Sequence, residues 1–136
     1  MGRHCVKKKI SFCYGHRLLN HEGKCKYLHG HNACLEIEVC STTLNALGMV
    51  IDFADVKRIA KAWIDENLDH KMLLHEKDPV VPLLQGINEP LFLMDDSPTA
   101  ENIAKLIFHQ LQTVGLRPSR VTLWETETGA ASYADG

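Results

Sequence analysis

The stretch HGHNACLEIEVC, residues 29–40, decides the fold of this chain. From His31 to Cys40 apolar and polar side chains alternate, and this period of two is typical of a β-strand with one buried face. The apolar positions of that face are Ala33, Leu35, Ile37 and Val39. His29 and His31 lie two residues apart, so in a strand their imidazoles point to the same side, which is the core side. The pattern therefore predicts a half-buried strand that begins with two inward-facing histidines.

A second strand precedes this one and adds a third histidine. The even positions up to about Gly15 are apolar at Val6, Ile10, Phe12 and Tyr14. His16 continues the same parity, and an antiparallel neighbour can place it opposite the His29–His31 pair. A His-x-His pair alone is more often a surface pair or a hydrogen-bonded pair than a metal site. Three imidazoles with one open coordination position, by contrast, are typical of catalytic zinc.

The rest of the chain divides into short strands, two helices and one loop-rich section. First come a buried strand at Met49–Ile51 and a helix that begins at Asp52–Phe53 and fades near Asn67–Leu68. A loop-rich section, His75–Pro98, follows and can hold a short strand at Leu91–Met94. The chain then forms a helix from about Ser97–Thr99 to Gly115 and a final strand from about Arg120 to Thr126. Each helix has one apolar stripe, which predicts an α+β fold in which two helices cover one face of a four-stranded sheet. The length of the chain indicates a single domain, residues 1–136. The open sheet edges favour self-association.

Charge and composition exclude several classes of function. The chain has 15 basic and 17 acidic residues and a formal net charge of -2, so it lacks the basic surface of a nucleic-acid-binding protein. No apolar run approaches the roughly 18 residues that a membrane helix needs. The five cysteines form no Cys-x-x-Cys pair, and we expect reduced thiols without a disulfide framework. These features predict a cytoplasmic protein that binds neither nucleic acid nor membrane.

Three further residues have the chemistry of an active site. Cys25 lies four residues before His29, between two lysines whose ammonium groups favour the thiolate. An isolated loop cysteine usually has no catalytic task, but the nearby histidine pair favours one here. Asp69 beside His70 is a carboxylate that can orient an imidazole and raise its basicity. The simpler alternative is a histidine that complements the negative end of a helix.

Glu125 is an acidic residue at an inward-facing position of the last strand. It shares parity with Val121 and Leu123, so the sheet turns its carboxylate toward the interior, where it needs a partner. A heterocycle with two parallel N–H donors, such as the edge of a guanine or a pterin, would be one. The alternative is that the strand parity is off by one residue and that Glu125 is solvated.

Three other histidines have no potential ligand at a suitable spacing, and we assign them to the surface: His21, His75 and His109.

Together these motifs resemble one known family over nearly the whole chain. The matching residues are Phe12 with His16-Arg17-Leu18, Gly23-Lys24-Cys25, Leu28-His29-Gly30-His31, Gly48 to Phe53, Leu68-Asp69-His70, Pro98 to Asn102, and Glu125-Thr126. This order is similar to the tunnelling-fold family of 6-pyruvoyltetrahydropterin and 6-carboxytetrahydropterin synthases. The short Cys25-x-x-x-His29 spacing resembles the bacterial branch of queuosine biosynthesis more than the animal-type enzymes.

The resemblance implies roles for individual residues. It implies a Zn²⁺ ion held by His16, His29 and His31. It implies that the Cys25 thiol acts as base or proton relay, and that Asp69 and His70 of a neighbouring subunit are its partners. It also implies a pterin pocket in which the Glu125 carboxylate anchors the ring and Thr99 and Glu101 line the wall.

The resemblance also implies a fold, an assembly and a reaction. The fold is a four-stranded antiparallel sheet with two helices on one face, and three subunits close a barrel, which gives a trimer or a stacked hexamer. The zinc-dependent lyase converts 7,8-dihydroneopterin triphosphate to 6-carboxy-5,6,7,8-tetrahydropterin and releases acetaldehyde and triphosphate. The alternatives are 6-pyruvoyltetrahydropterin synthesis or another dihydroneopterin-processing activity, and a non-catalytic pterin or purine binder. Tyr14 departs from the small residue that the family carries there, and we expect it to narrow or reshape the pocket.

Overall fold

The computed structural model describes residues 2–135 and has an α+β architecture, as the sequence predicts. The strands are β1 (His4–His16), β2 (His29–Ser41), β3 (Lys71–His75), β4 (Leu91–Met94), β5 (Arg120–Trp124) and β6 (Ala130–Tyr133). The helices are α1 (Phe53–Asn67), α2 (Val81–Gly86) and α3 (Ala100–Thr113). The predicted domain, residues 1–136, also includes Met1 and Gly136, which lie outside the described residues.

β1 and β2 form the centre of the sheet and have the alternation that the sequence predicts. They pair antiparallel along their whole length, with His4 opposite Ser41 and His16 opposite His29. From Ile10 onward in β1, and from Ala33 to Val39 in β2, alternate side chains are buried. Because the side-chain period is two, this register also settles which face each residue takes. The core-facing parity predicted for the two strands is confirmed.

The sheet is mixed and larger than the four-stranded antiparallel sheet that we expect from the sequence, so that part of the prediction is wrong. Its strand order is β4-β3-β1-β2-β5-β6, and β3 pairs in parallel with both β1 and β4. The predicted strand at Leu91–Met94 is β4, whereas β3 and β6 are additional. With five residues in β3 and four in β6, the alternating pattern is too short to be distinct. Met49–Ile51 is not a strand, because Val50 and Ile51 pack against the core from a bend.

The two long helices cover the buried face of the sheet. α1 begins after Asp52, whose carboxylate accepts a hydrogen bond from the Ala54 N–H at 2.8 Å, and it buries Val56, Ala60 and Ile64 at helical spacing. α3 ends just before Gly115, whose φ of +93° is a conformation that glycine adopts readily. α2 is a third, six-residue helix inside the loop-rich section. None of the helices within residues 2–135 is long and apolar enough to cross a membrane.

A disulfide joins Cys5 to Cys40 at the end of the β1–β2 pair that lies away from the histidines. This bond contradicts the expectation of reduced thiols. The two cysteines are direct cross-strand partners, with Cα atoms 4.0 Å apart. The expectation failed because a cysteine count does not show which positions a strand register brings together. Cys13, Cys25 and Cys34 carry free thiols.

Candidate active site

Three imidazoles converge where β1 ends and β2 begins. His16 is the last residue of β1 and His29 is the first of β2, and the register makes them direct partners. The Nε2 atoms of His16 and His31 lie 3.1 Å apart. One ring nitrogen from each of the three histidines lies within 4.8 Å of the other two. The structure thus brings together all three residues that the sequence analysis grouped.

Backbone carbonyls orient two of these rings. His16 Nδ1 lies 2.7 Å from the Pro98 carbonyl oxygen, and His29 Nδ1 lies 2.7 Å from the Tyr27 carbonyl oxygen. A carbonyl oxygen only accepts hydrogen bonds, so each Nδ1 carries a proton, and in a neutral imidazole Nε2 then keeps a free lone pair. Burial lowers the pKa of His16, which favours the neutral imidazole that a metal requires.

These nitrogen atoms suit a zinc ion. Tetrahedral Zn–N bonds of about 2.0–2.1 Å separate two ligand nitrogens by about 3.3 Å. The 3.1 Å between the Nε2 atoms of His16 and His31 is close to that separation. Histidines that bind zinc commonly donate their other N–H to a carbonyl oxygen, as His16 and His29 do. Three protein ligands leave a fourth position for substrate or water.

The Glu125 carboxylate lies beside the imidazoles, just beyond the end of β5. Its Oε2 is 3.5 Å from His31 Nε2, and its Oε1 accepts a hydrogen bond from the Tyr14 hydroxyl at 2.9 Å. Glu125 therefore turns inward, in agreement with the parity argument. Burial, together with the Glu125 charge and this hydrogen bond, raises the pKa of Tyr14, so its hydroxyl remains a donor. The sequence pattern predicts only the bulk of Tyr14 and not this contact, because Tyr14 and Glu125 are 111 positions apart in sequence.

Asp69 and His70 form a hydrogen-bonded pair that is attached to β1 through Cys13. Asp69 accepts a hydrogen bond from the Cys13 N–H at 3.0 Å, and its second oxygen lies 2.8 Å from His70 Nδ1. The His70 N–H donates to the Cys13 carbonyl at 2.7 Å, and His70 has a φ of 60°. Burial acts to raise the pKa of Asp69, but the hydrogen bonds from Cys13 and His70 outweigh it and hold that pKa below its usual value.

No cluster of candidate ligand atoms within residues 2–135 combines the Asp69–His70 pair with the predicted catalytic thiol or with the three histidines. Among residues 2–135, the side chains of Cys13, Asp69 and His70 form one group of ligand atoms within 4.8 Å, and the three histidines form another. Cys25 lies half-buried on a short 3-10 turn, Lys24–Lys26, and belongs to neither group. The proposed proton-transfer residues thus form no common cluster within the part of one chain that the structure describes.

Three cavities among residues 2–135 border predicted site residues. One of about 480 Å³ is lined by His29 and His31 and also by His70. A smaller one of about 190 Å³ lies between Glu101 and Glu125. Thr99 lines a different cavity, and its hydroxyl oxygen accepts a hydrogen bond from the Asn102 N–H at 3.1 Å at the start of α3. Of the two predicted lining residues, only Glu101 shares a cavity with Glu125.

Comparison with known proteins finds relatives over nearly the whole chain. A family model described as 6-pyruvoyl tetrahydropterin synthase matches residues 5–135. The 6-carboxy-5,6,7,8-tetrahydropterin synthase of Rickettsia felis is 43% identical over 99 residues, which cover 71% of this chain and 72% of the relative. The protein of the same name from Haemophilus influenzae is 35% identical over 138 residues, which cover 96% of this chain and 98% of the relative.

Solved structures share the fold. The crystal structure of the uncharacterized protein WS1659 from Wolinella succinogenes superposes with a TM-score of 0.81 at 25% identity and covers 100% of both chains. The 6-pyruvoyl tetrahydropterin synthase of Caenorhabditis elegans superposes with a TM-score of 0.75 at 24% identity, covering 100% of this chain and 98% of that one. Together they support the architecture that brings the three histidines together.

Proposed function

The chain belongs to the 6-pyruvoyl tetrahydropterin synthase family, and from this premise we propose that it is a 6-carboxy-5,6,7,8-tetrahydropterin synthase. This lyase converts 7,8-dihydroneopterin triphosphate and one water molecule to 6-carboxy-5,6,7,8-tetrahydropterin, acetaldehyde and triphosphate. The observation that carries the proposal is the cluster of three imidazoles beside an inward-facing carboxylate, in a chain whose relatives of that name are up to 43% identical.

The relatives favour the carboxy product over the pyruvoyl product. The relatives named for the carboxy enzyme match at 35% identity over almost the full chain and at 43% over its greater part. The pyruvoyl enzyme of Caenorhabditis elegans matches at 24% identity and supports only the fold. The short spacing between Cys25 and His29 favours the same choice.

In the proposed mechanism each group has a defined task. His16, His29 and His31 would hold Zn²⁺, which would supply Lewis-acid chemistry by lowering the pKa of substrate hydroxyls and polarising the neighbouring carbon. Glu125 anchors the pterin ring by accepting N–H donors from its amidine edge. Glu101 lines the cavity beside this anchor, and Thr99 lies at the adjacent start of α3.

Cys25 and His70 move protons while triphosphate leaves. Asp69 accepts the Nδ1 proton of His70 in a hydrogen bond, which leaves Nε2 as the basic nitrogen. The Cys25 thiol belongs to no group of candidate ligand atoms with Asp69 and His70 in one chain. We therefore assign the Asp69–His70 pair of each site to a second copy of the chain, in a homo-oligomer that is a trimer or a hexamer.

We also propose that the chain forms a single pterin-synthase domain. The family model matches residues 5–135, which is nearly the whole chain. We also place the enzyme in the cytoplasm. The Cys5–Cys40 disulfide is unusual for that reducing compartment, and it lies at the opposite end of β1 from His16.

The test combines product analysis with one substitution. Zinc-loaded protein is incubated with 7,8-dihydroneopterin triphosphate, and acetaldehyde and 6-carboxytetrahydropterin are measured. We expect both products, and we expect Cys25→Ala to keep its zinc while turnover falls by about 100-fold or more, the size of a lost acid–base group.

Cys34→Ala is the matched control, because Cys34 is also a free, half-buried thiol but lies in the middle of β2. Turnover of the pterin without acetaldehyde would assign the pyruvoyl route instead. Undiminished product formation by Cys25→Ala would remove the thiol from the mechanism. Removal of zinc by a chelator should abolish turnover, and re-addition should restore it.

A further inference from the structure

Tyr14 is buried at the centre of the candidate site. It lies two residues before His16 and directly opposite His31 in the β1–β2 register. Only 3% of the residue is exposed. Its ring is in edge contact with the His16 ring, with centroids 5.2 Å apart, and stacks on Phe12 at 5.5 Å. These neighbours fix the direction in which the phenol points.

The hydroxyl of this fixed ring donates to the carboxylate that we assign to the pterin. The distance from the Tyr14 hydroxyl oxygen to Glu125 Oε1 is 2.9 Å, and the two residues are 111 positions apart in sequence. Glu125 follows β5 and begins the bend that leads to Gly129, whose carbonyl oxygen accepts a hydrogen bond from the Glu125 N–H at 3.2 Å. The backbone and one carboxylate oxygen of Glu125 are thus both held.

A carboxylate that is held in this way retains acceptor capacity for a ligand. An ionised carboxylate offers about four lone-pair sites, and Tyr14 uses one of those on Oε1. The other Oε1 site and Oε2 remain for two parallel N–H donors, the pattern of a pterin or guanine edge. Without a partner, the terminal torsion of a glutamate is broadly distributed. Fixing it when the ligand binds would reduce affinity.

We propose that Tyr14 is a positioning residue that sets the orientation of the Glu125 carboxylate before the pterin binds. This inference rests on the proposed function, since it takes Glu125 as the pterin anchor. It gives Tyr14 a role beyond filling space: the hydroxyl, and not only the ring, determines how tightly the heterocycle is held. Tyr14 acts through Glu125 and moves no proton of the reaction.

The test is a double-mutant cycle on binding of 7,8-dihydroneopterin to zinc-loaded protein. Tyr14→Phe keeps the ring between Phe12 and His16 and removes only the hydroxyl, so zinc content should not change. We expect its Kd for the pterin to rise about 10-fold, the weight of one hydrogen bond to a charged group. Glu125→Ala should weaken binding further, and the double variant should bind like Glu125→Ala alone.

A matched control and a kinetic measurement separate positioning from packing. Tyr133→Phe also removes a tyrosine hydroxyl that donates to a carboxylate, that of Asp135 at 3.3 Å, outside the site, and should leave Kd unchanged. In turnover, Tyr14→Phe should raise KM about as much as Kd while kcat changes by less than about threefold.

Two other results would overturn the positioning role, and a third would overturn the Glu125 anchor as well. If Tyr14→Phe binds the pterin as tightly as the wild type, or if its effect adds fully to that of Glu125→Ala, the positioning role is overturned while the proposed function stands. If Glu125→Ala binds the pterin normally, the anchor itself is wrong, and both the positioning role and that part of the proposed function are overturned.

Discussion

Arg17 directly follows His16, the first zinc-ligand candidate in the chain, and forms a charged pair with Asp78. The Asp78 side chain is 1% exposed, and its two oxygens accept hydrogen bonds from Arg17 Nε, at 2.8 Å, and from its terminal nitrogen. Asp78 also accepts from the Val80 N–H at 2.8 Å. The hydrogen bonds from Arg17 are the chief reason that the pKa of Asp78 lies below its ordinary value. This pair holds the segment after β3 against the end of β1.

Loss of Arg17 should destabilise the protein in a pH-dependent way. Arg17→Met leaves a buried carboxylate without its partner, so we expect the free energy of unfolding at neutral pH to fall by about 3 kcal/mol. The pKa of Asp78 is lowered in the folded state. The contribution of the pair is therefore complete above the unfolded-state pKa of about 3.9 and is lost as the pH falls through the folded-state value. Urea unfolding at several pH values measures the difference between wild type and variant.

We expect that difference to shrink in acid, because protonated Asp78 no longer needs the guanidinium. The double variant Arg17→Met/Asp78→Asn should be more stable than Arg17→Met at neutral pH, since it buries no unpaired charge. A constant difference from neutral pH to about pH 3 would show that the charge of Asp78 is not what Arg17 stabilises.

At the scale of elements, the start of α3 connects the fold to the site. The Pro98 carbonyl oxygen accepts the His16 Nδ1 hydrogen bond, and the next residue, Thr99, is the N-cap of the helix. Asn102 donates its side-chain N–H to the Ser97 carbonyl at 2.9 Å, which holds the turn before the helix. A change in where α3 begins therefore moves the carbonyl that orients His16.

Removal of the cap should affect both stability and metal binding. Thr99→Ala loses the acceptor for the Asn102 N–H, and we expect the free energy of unfolding to fall by about 1 kcal/mol. Because Pro98 adjoins the cap, we also expect zinc affinity to decrease. Thermal unfolding and a competitive zinc titration measure the two effects.

Thr99→Ser is the control, since it retains the hydroxyl that caps the helix and should restore stability and zinc affinity. If Thr99→Ala loses stability but binds zinc like the wild type, the helix start does not position His16. In that case the orientation of His16 depends on the β1–β2 register alone.

At the scale of the whole molecule, the sheet has two open edges, β4 and β6. Unpaired edge strands favour association with further chains, and Leu93 of β4 is 39% exposed. Cys25 also shares no cluster of candidate ligand atoms with the Asp69–His70 pair among the described residues of one chain. Assembly of several copies would pair the edges and complete the site.

Mixed oligomers test whether two copies share a site. Cys25→Ala and His70→Ala should each be nearly inactive alone, because each removes one proton-transfer group. When the two variants are co-expressed and purified as mixed oligomers, some sites combine an intact Cys25 with an intact His70 from the other chain. We expect part of the wild-type acetaldehyde formation to return.

A mixture of Asp69→Ala and His70→Ala is the matched control. These neighbours belong to the same half of the site, so every shared site lacks one of them and activity should not return. Activity of a Cys25→Ala and His70→Ala mixture that stays at the level of the separate variants would show that each site is built from one chain.

The sequence alone determined the centre of the sheet and the metal-ligand candidates. The alternation in β1 and β2 is long enough to assign a face to every residue, so the convergence of His16, His29 and His31 followed from parity and antiparallel pairing. The start of α1 at Asp52 and the end of α3 before Gly115 also followed, since these residues act through their own backbone neighbours. The sequence left Ser97 and Thr99 as alternative caps of α3, and the structure selects Thr99. All these signals are local, and local signals can be read along the chain.

Only the tertiary structure decided the features that depend on distant pairing. The strands β3 and β6 are too short to have a distinct pattern, and they exist because neighbouring strands complete their hydrogen bonds. The Cys5–Cys40 disulfide and the Tyr14–Glu125 hydrogen bond join residues 35 and 111 positions apart. Such contacts arise from register and from which elements become neighbours. Composition and periodicity do not contain that information, because the free energy that selects it comes from packing of the whole chain.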